Sequence, residues 1–466
     1  MRRIGFAQAL AGTAVTLLAA CAGGGPPASH PVTPPPASGP SPFVSPAAEG
    51  PAASPSAPPT AIATQVMQDD TVLLQSKLAA CVPGGATCTI RLPAGTFRTR
   101  QLSATGFHGT IAGEGIGKTV IQALPGYVVT PGYVLSRPPS ATNVYPAILA
   151  FGGPSDVTIT DLTFRVTEAD PVPGGWYEND DRVHNTFLAY ALSVQGSAHL
   201  TRVAFEGSRG SLDAGPGGQG VNLEAGVAID GSRSPQGGDD FTMTRCTVRN
   251  AEAAVLLYRF GGHALVGGST ADGNTFVHSG AGIFTEIDGA VIEASYNRIA
   301  DDISPASAIV IDVVGSVTAP SHVLVAHNRI TLDAGGTQAV RASQGGQKFG
   351  VAQGAGAEAA FELTVADNTL VLGGDGSDTG ILLRNTVGTV VSRNTIQGKG
   401  TSAIELVGTT QATVAGNAVG GFVPSGEAHI TLDVNTSGAR VNCARPADTV
   451  ADQGTRNTVT GCSPSK

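Results

Sequence analysis

One short pattern governs what this chain can fold into. An apolar residue, a spacer, a second apolar residue and then a small turn ending in Asn recur along its second half. The Asn residues are Asn274, Asn297, Asn328, Asn368, Asn394 and Asn417, with a partial copy at Asn457. The tightest spacings are 23 residues (Asn274 to Asn297, Asn394 to Asn417) and 26 residues (Asn368 to Asn394). The 40 residues from Asn328 to Asn368 read as one coil plus an insertion. Repeats of this length mark solenoids or propellers, in which each unit buries its apolar face only against its neighbours. Apolar residues alternate within each unit, and Gly, Asp and Asn break the runs, so the unit is a set of short strands. No helical unit repeats. The expectation is an all-β chain wound as a parallel β-helix, right-handed by the general crossover rule. The Asn residues are expected to stack inside a turn, their amides hydrogen-bonding from coil to coil.

Composition agrees with a long solenoid. Charged residues make up 14% and aromatics 5%, while there are 63 glycines for tight turns. The net charge of −9 comes without a basic cluster, which argues against nucleic acid as a partner.

The N-terminus reads as an export signal. Arg2 and Arg3 precede an apolar stretch too short for a membrane span, ending in Leu18-Ala19-Ala20-Cys21. This ending resembles the bacterial lipoprotein cleavage box, which implies a signal peptide over residues 1–20 and lipidation of Cys21. Residues 21–63 are rich in Pro, Ala, Ser and Gly and are expected to form a disordered tether. Residues 64–466 would then form the β-helix domain, held at the cell envelope through the lipid alone. Ala22 is not an acidic retention signal, so the outer membrane is the expected destination in a Gram-negative cell. Export implies an oxidising compartment. Cys81 is expected to pair with Cys88 across a turn, and Cys443 with Cys462 across the last coil. Cys246 takes the Asn position of its repeat and should be buried and reduced. No cysteine pair has metal-ligand spacing with histidine.

Asp69-Asp70-Thr71 ahead of an apolar-patterned segment predicts an N-capped amphipathic helix. Closely spaced strands follow, including Leu92-Pro93-Ala94-Gly95-Thr96-Phe97 and the run from Ile111 through Gly113-Glu114-Gly115 to Ile121. These segments resemble the opening coils of the pectin-lyase-like superfamily, and the Asn repeats resemble its later coils. The resemblance covers nearly everything from Asp69 to Cys462. It implies a right-handed parallel β-helix plugged by a short N-terminal helix. It does not imply one activity, because that superfamily includes lyases, hydrolases, epimerases, esterases and non-enzymatic surface proteins. The calcium-binding aspartates and arginine base of pectate lyases are not legible here. The polygalacturonase motifs are missing apart from Gly238-Asp239-Asp240, and so is the Asp-Pro-His-Glu box of alginate epimerases. No catalytic residue therefore carries over.

Strand periodicity supplies candidates instead. Aligning the strand after each Asn turn gives one outward column: Gln195, Asp230, Tyr258, Glu286, Asp312, Ser343, Arg384, Val407 and Asp433. Glu286 and Asp312 should be exposed nearest neighbours with Tyr258 beside them. Two carboxylates that close suit an acid/base pair. With Asp230 they would equally suit a hard cation such as Ca²⁺. We therefore take Glu286, Asp312 and Tyr258 as candidate catalytic residues, with no metal site assigned. Asp230, Arg259 and Arg384 join them as candidate substrate contacts. An insertion from Thr167 to Thr186 carries Trp176, the single tryptophan, and Tyr177, flat faces suited to sugar rings. His263, His278, Asp301 and Asp302 fall near the same face and read as turn residues. The expectation is an envelope-anchored carbohydrate-active protein, a polysaccharide lyase or hydrolase. The alternative is a non-catalytic glycan-binding or structural β-helix.

Overall fold

The recurring Asn residues form a continuous hydrogen-bonded ladder inside the molecule. In the computed structural model, the Asn328 Nδ2 donates to the Ala294 carbonyl (2.8 Å) and to Asn368 Oδ1 (3.0 Å). Its Oδ1 accepts from the backbone N–H and the Nδ2 of Asn297 (2.9 and 3.0 Å). Both donors and both acceptor lone pairs of the amide are thus satisfied. The same rungs join Asn274 to Asn297, Asn368 to Asn394 and Asn394 to Asn417. Cys246 begins the ladder. Its backbone N–H donates to Asn274 Oδ1 (2.9 Å), and its thiol donates to the Thr244 carbonyl and accepts from Val203 N–H. Cys246 is a free, buried thiol, and burial pushes its pKa up to about 12.

Residues 68–81, 87–124, 147–166, 188–208, 223–230, 238–287, 289–301, 307–313, 321–333, 338–344, 361–373, 378–426 and 428–465 are described. Among them are one helix, Thr71–Cys81, and thirty-one strands joined in a single sheet system. Every strand pairing is parallel, and through the middle of the sheet system strands pair with their counterparts one coil earlier and one coil later. That is a parallel β-helix, as the Asn spacing predicts. Ile283, Ile309, Val340, Ile381, Ile404 and Ile430 stack in one register inside it, and the core runs from Leu74 to Val450.

The turn that presents Asn297, Asn328, Asn368 or Asn394 has a conformational cost. The preceding residue lies in the left-handed region, with φ of 59° at Tyr296, 57° at His327, 57° at Asp367 and 55° at Arg393. Non-glycine residues lose roughly 1 kcal/mol there. The satisfied Asn amide offsets this, and neighbouring side chains pair along the axis. The Tyr296 and His327 rings stack at 4.6 Å, and Arg393 Nη2 meets Asp367 Oδ2 at 2.6 Å.

The N-terminal helix closes the first coil. Leu74 and Leu78 face the core. Asp70 exchanges backbone and side-chain bonds with Arg98, its N–H to the Arg98 carbonyl at 2.7 Å and its Oδ2 to Arg98 N–H at 3.0 Å. The Gln75 amide bonds both Ser103 N–H and the Ser103 carbonyl. Helix side chains thereby occupy sheet-edge groups that would otherwise stand open. Cys81–Cys88 ties this cap to the first strand, and Cys443–Cys462 ties the last coil, both as expected.

Candidate functional site

The proposed column is real in the backbone. Asp230 pairs in register with Tyr258, Glu286 with Asp312, Asp312 with Ser343, Ser343 with Arg384, and Arg384 with Val407. The residues one step back, Ile229, Leu257, Ile311, Ala342 and Leu383, belong to the core. The column therefore points to the outer face of the sheet.

A β-bulge sits at its centre. Leu257 pairs with Thr285 and Phe260 with Ile287, so Tyr258 and Arg259 both oppose the single residue Glu286. Bulges of this kind re-aim side chains, often beside active sites. Tyr258 is half-buried, and the side chains of Arg259 and Asp230 lie outside the described residues.

Two expectations need correction. Glu286 and Asp312 are not exposed: each retains only 5% of its accessible surface. The reason is that the outer face has packing of its own. A second apolar cluster joins Ala147, Ala150, Tyr190, Ala225, Ala228, Ala253 and Ala281, with Leu256 and Phe284 against it. Leu256, Phe284 and Val310 form the register column adjoining the carboxylates. In addition, His263 does not share this face. It opens the strand His263–Gly267 on another wall, where its Nδ1 lies 3.3 Å from Asp240 Oδ1.

The structure adds Arg341. Its Nη2 lies 3.2 Å from Asp312 Oδ2 and 3.4 Å from Oδ1, while Ser343 Oγ donates to Asp312 Oδ1 at 2.8 Å. Arg341 follows Val310 in the adjoining column and reaches diagonally. Asp312 is thus held in one orientation by two neighbours from the next coil. Arg384 lies two coils beyond Asp312 and is exposed. Trp176, Tyr177 and Cys21 lie outside the described residues. Among the described residues, no three His, Cys, Asp or Glu side chains converge as a metal-binding group.

Gln195 opens the column and was not singled out from the sequence as a contact. It is 3% exposed. Its Oε1 accepts the Gly153 N–H at 3.0 Å, and its Nε2 has no hydrogen-bond partner.

No protein-family model and no curated protein matches this chain. Several solved structures resemble it at low identity. A mannuronan C-5 epimerase A-module from Azotobacter vinelandii has 16% identity and a TM-score of 0.37, covering 85% of this chain and 93% of that one. A polygalacturonase from Erwinia carotovora ssp. carotovora has 16% identity and a TM-score of 0.35, covering 86% and 94%. The catalytic unit of a GH87 alpha-1,3-glucanase from Streptomyces thermodiastaticus strain HF3-3 has 13% identity and a TM-score of 0.39, covering 85% and 67%. The chain is a parallel β-helix by its own strand pairing. At such identities and TM-scores the likeness carries no argument about activity.

Proposed function

We propose that this protein acts on a polysaccharide at the cell envelope, with Glu286 and Asp312 as the working pair. The observation that carries the reading is two carboxylates in register on adjoining coils, both buried on an outer face. Burying carboxylates is costly, and a fold that does so outside its core has a use for them. Arg341 and Ser343 fix Asp312, so it is the oriented member of the pair. Glu286, opposite the bulge at Tyr258 and Arg259, is the proton-transfer member. Adjoining coils lie roughly 4.8 Å apart, which leaves no room for a water between carboxyl groups at that separation. The arrangement suits a lyase or a double-displacement hydrolase better than direct attack by water.

Glu286→Gln and Asp312→Asn should each lower turnover at least ~100-fold, the usual magnitude for removing a general acid or base, with melting temperature retained. A panel of neutral and acidic polysaccharides checks this, with unsaturated products read by absorbance and reducing ends read separately. The Asp312–Arg341 pair also favours a second reading, since a cross-coil tie of this kind needs no chemistry. Binding of a glycan equally by wild type and both variants, with no turnover of any polymer, would establish a binding module instead.

The envelope anchor rests on Leu18-Ala19-Ala20-Cys21 and the Pro-rich segment after it. Two or more acyl chains hold a protein to a bilayer stably, where one does not. Cys21→Ser should abolish incorporation of labelled fatty acid and release the protein from the membrane fraction. Unchanged labelling refutes the anchor.

A further inference from the structure

Like charges face one another in register at two places in the described sheet. One is Glu286 with Asp312, and the other is Arg298 with Arg329. Ile299 and Ile330, the residues that follow, lie in the core, so both arginines point outward, and both are exposed. Adjoining coils lie roughly 4.8 Å apart, and like charges directly opposite destabilise a sheet. The described chain supplies no counter-charge. The carboxylates in the turns one coil to either side are already engaged, Asp272 by Arg245 at 2.8 Å and Asp367 by Arg393 at 2.6 Å. Among the described residues neither Arg298 nor Arg329 forms an ion pair. Otherwise their column is neutral and polar. It runs through Thr247 and Thr275 before the pair and through Thr369 and Thr395 after it, all partly exposed. Across the inward-facing Asn of each coil, the Tyr296 and His327 rings stack at 4.6 Å and form a firm border to one side.

We infer that Arg298 and Arg329 form an anion-binding patch that takes the carboxylate or sulfate of an acidic glycan lying along the solenoid axis. The glycan rests on the polysaccharide reading, but the patch is separate from the Glu286–Asp312 column and lies on another wall. Two guanidinium forks side by side match an oxyanion, which offsets their mutual repulsion when it binds. The threonine hydroxyls before and after them suit the sugar hydroxyls on either side of the acidic group. A nucleic acid or an anionic membrane is a poor match, because the chain carries a net charge of −9 and the column stops at two cations.

The test is calorimetry on the full chain with hexasaccharides of a polyuronate, a sulfated glucan and an uncharged β-1,4-glucan, and with inorganic sulfate and phosphatidylglycerol vesicles. The wild type should bind one of the two acidic hexasaccharides more tightly than the uncharged one, and that affinity should fall as NaCl is added. Which of the two it prefers distinguishes carboxylate from sulfate. Arg298→Gln and Arg329→Gln should each weaken that binding roughly threefold to tenfold, and the double variant should weaken it further. Arg329→Lys keeps the charge, loses the fork and should restore only part of the affinity. Neither Gln variant should melt below the wild type, because each relieves a like-charge pair. A clear fall in melting temperature would show that the arginines hold the coils together, and it overturns the patch. Equal binding of the acidic hexasaccharides by the wild type and the double variant also overturns the patch, while leaving the polysaccharide reading intact. Binding of inorganic sulfate or of the vesicles, with no glycan bound, overturns the glycan assignment. Binding of none of these or of longer polymers overturns the reading and the patch together.

Discussion

Asn328 shows how much one side chain holds in this molecule. Its amide makes four hydrogen bonds, three toward the preceding coil and one toward the following one. Asn328→Ala deletes all four, takes the side-chain acceptor from the Asn297 N–H and the side-chain donor from the Ala294 carbonyl, and leaves the Asn297 and Asn368 amides each one bond short in the interior. We expect a loss of about 3–5 kcal/mol, read by denaturant unfolding. Asn328→Asp keeps the acceptor role and loses both donors, so it should also destabilise. An effect below 1 kcal/mol for Asn328→Ala would show that the ladder is ornamental. The ladder was legible in the sequence because Asn recurs at coil-length intervals, and Cys246 was legible as its exception. The left-handed residue ahead of Asn297, Asn328, Asn368 and Asn394 was not. Tyr296, His327 and Arg393 carry none of the Gly or Asn cues for that conformation, and the demand comes from the turn.

Strand pairing decided which site residues meet. Outward alternation correctly paired Glu286 with Asp312 and Asp230 with Tyr258, because a one-residue slip would have turned carboxylates into the core. It could not supply Arg341, which belongs to the adjoining column and enters only by the reach of its side chain. Nor could it supply burial, since an outer face looks open when one strand is read at a time. The apolar neighbours Leu256, Phe284 and Val310 become visible only when two columns are aligned together. On the turn beside the ladder, strand-end pairs carry a pH signature. A side-chain hydrogen bond from Arg393 lowers the Asp367 pKa below its ordinary value of 3.8, and Arg202 does the same for Asp161. A carboxylate with a depressed folded pKa stabilises fully above its unfolded pKa and loses that contribution as pH falls through the folded value. Stability should therefore be flat near neutrality and decline below about pH 4. Asp367→Asn should cost only ~0–1 kcal/mol at pH 7, as expected of a solvent-facing pair, and should make the acid decline shallower. Melting temperatures of the two proteins from pH 2 to 7 check this.

A solenoid is stabilised by nearest neighbours, so its ends are where it opens first. The helix Thr71–Cys81 covers one end, and the other is tied by Cys443–Cys462 across 19 residues. Closing a loop of that length stabilises by about 3 kcal/mol in the chain-entropy account. Replacing Cys443 and Cys462 by Ser should release amide protons of Arg440–Asn442 and Thr449–Asp452 to fast exchange before those of Ile309–Val313. Simultaneous loss of protection throughout would mean that the coils unfold as one unit.

The Asn ladder also bears on how such a chain can change length. Each rung offers the same acceptor to the coil before it and the same donor to the coil after it. A coil duplicated in frame would meet both neighbours with matching chemistry, and one deleted would leave no mismatch. The 40 residues between Asn328 and Asn368 already carry more chain than the 23 between Asn394 and Asn417, yet the rungs at both places close at the same distance to within 0.1 Å. Copy number and insertion length are thereby freed from the ladder's geometry, and heredity can vary them while the rail stays continuous.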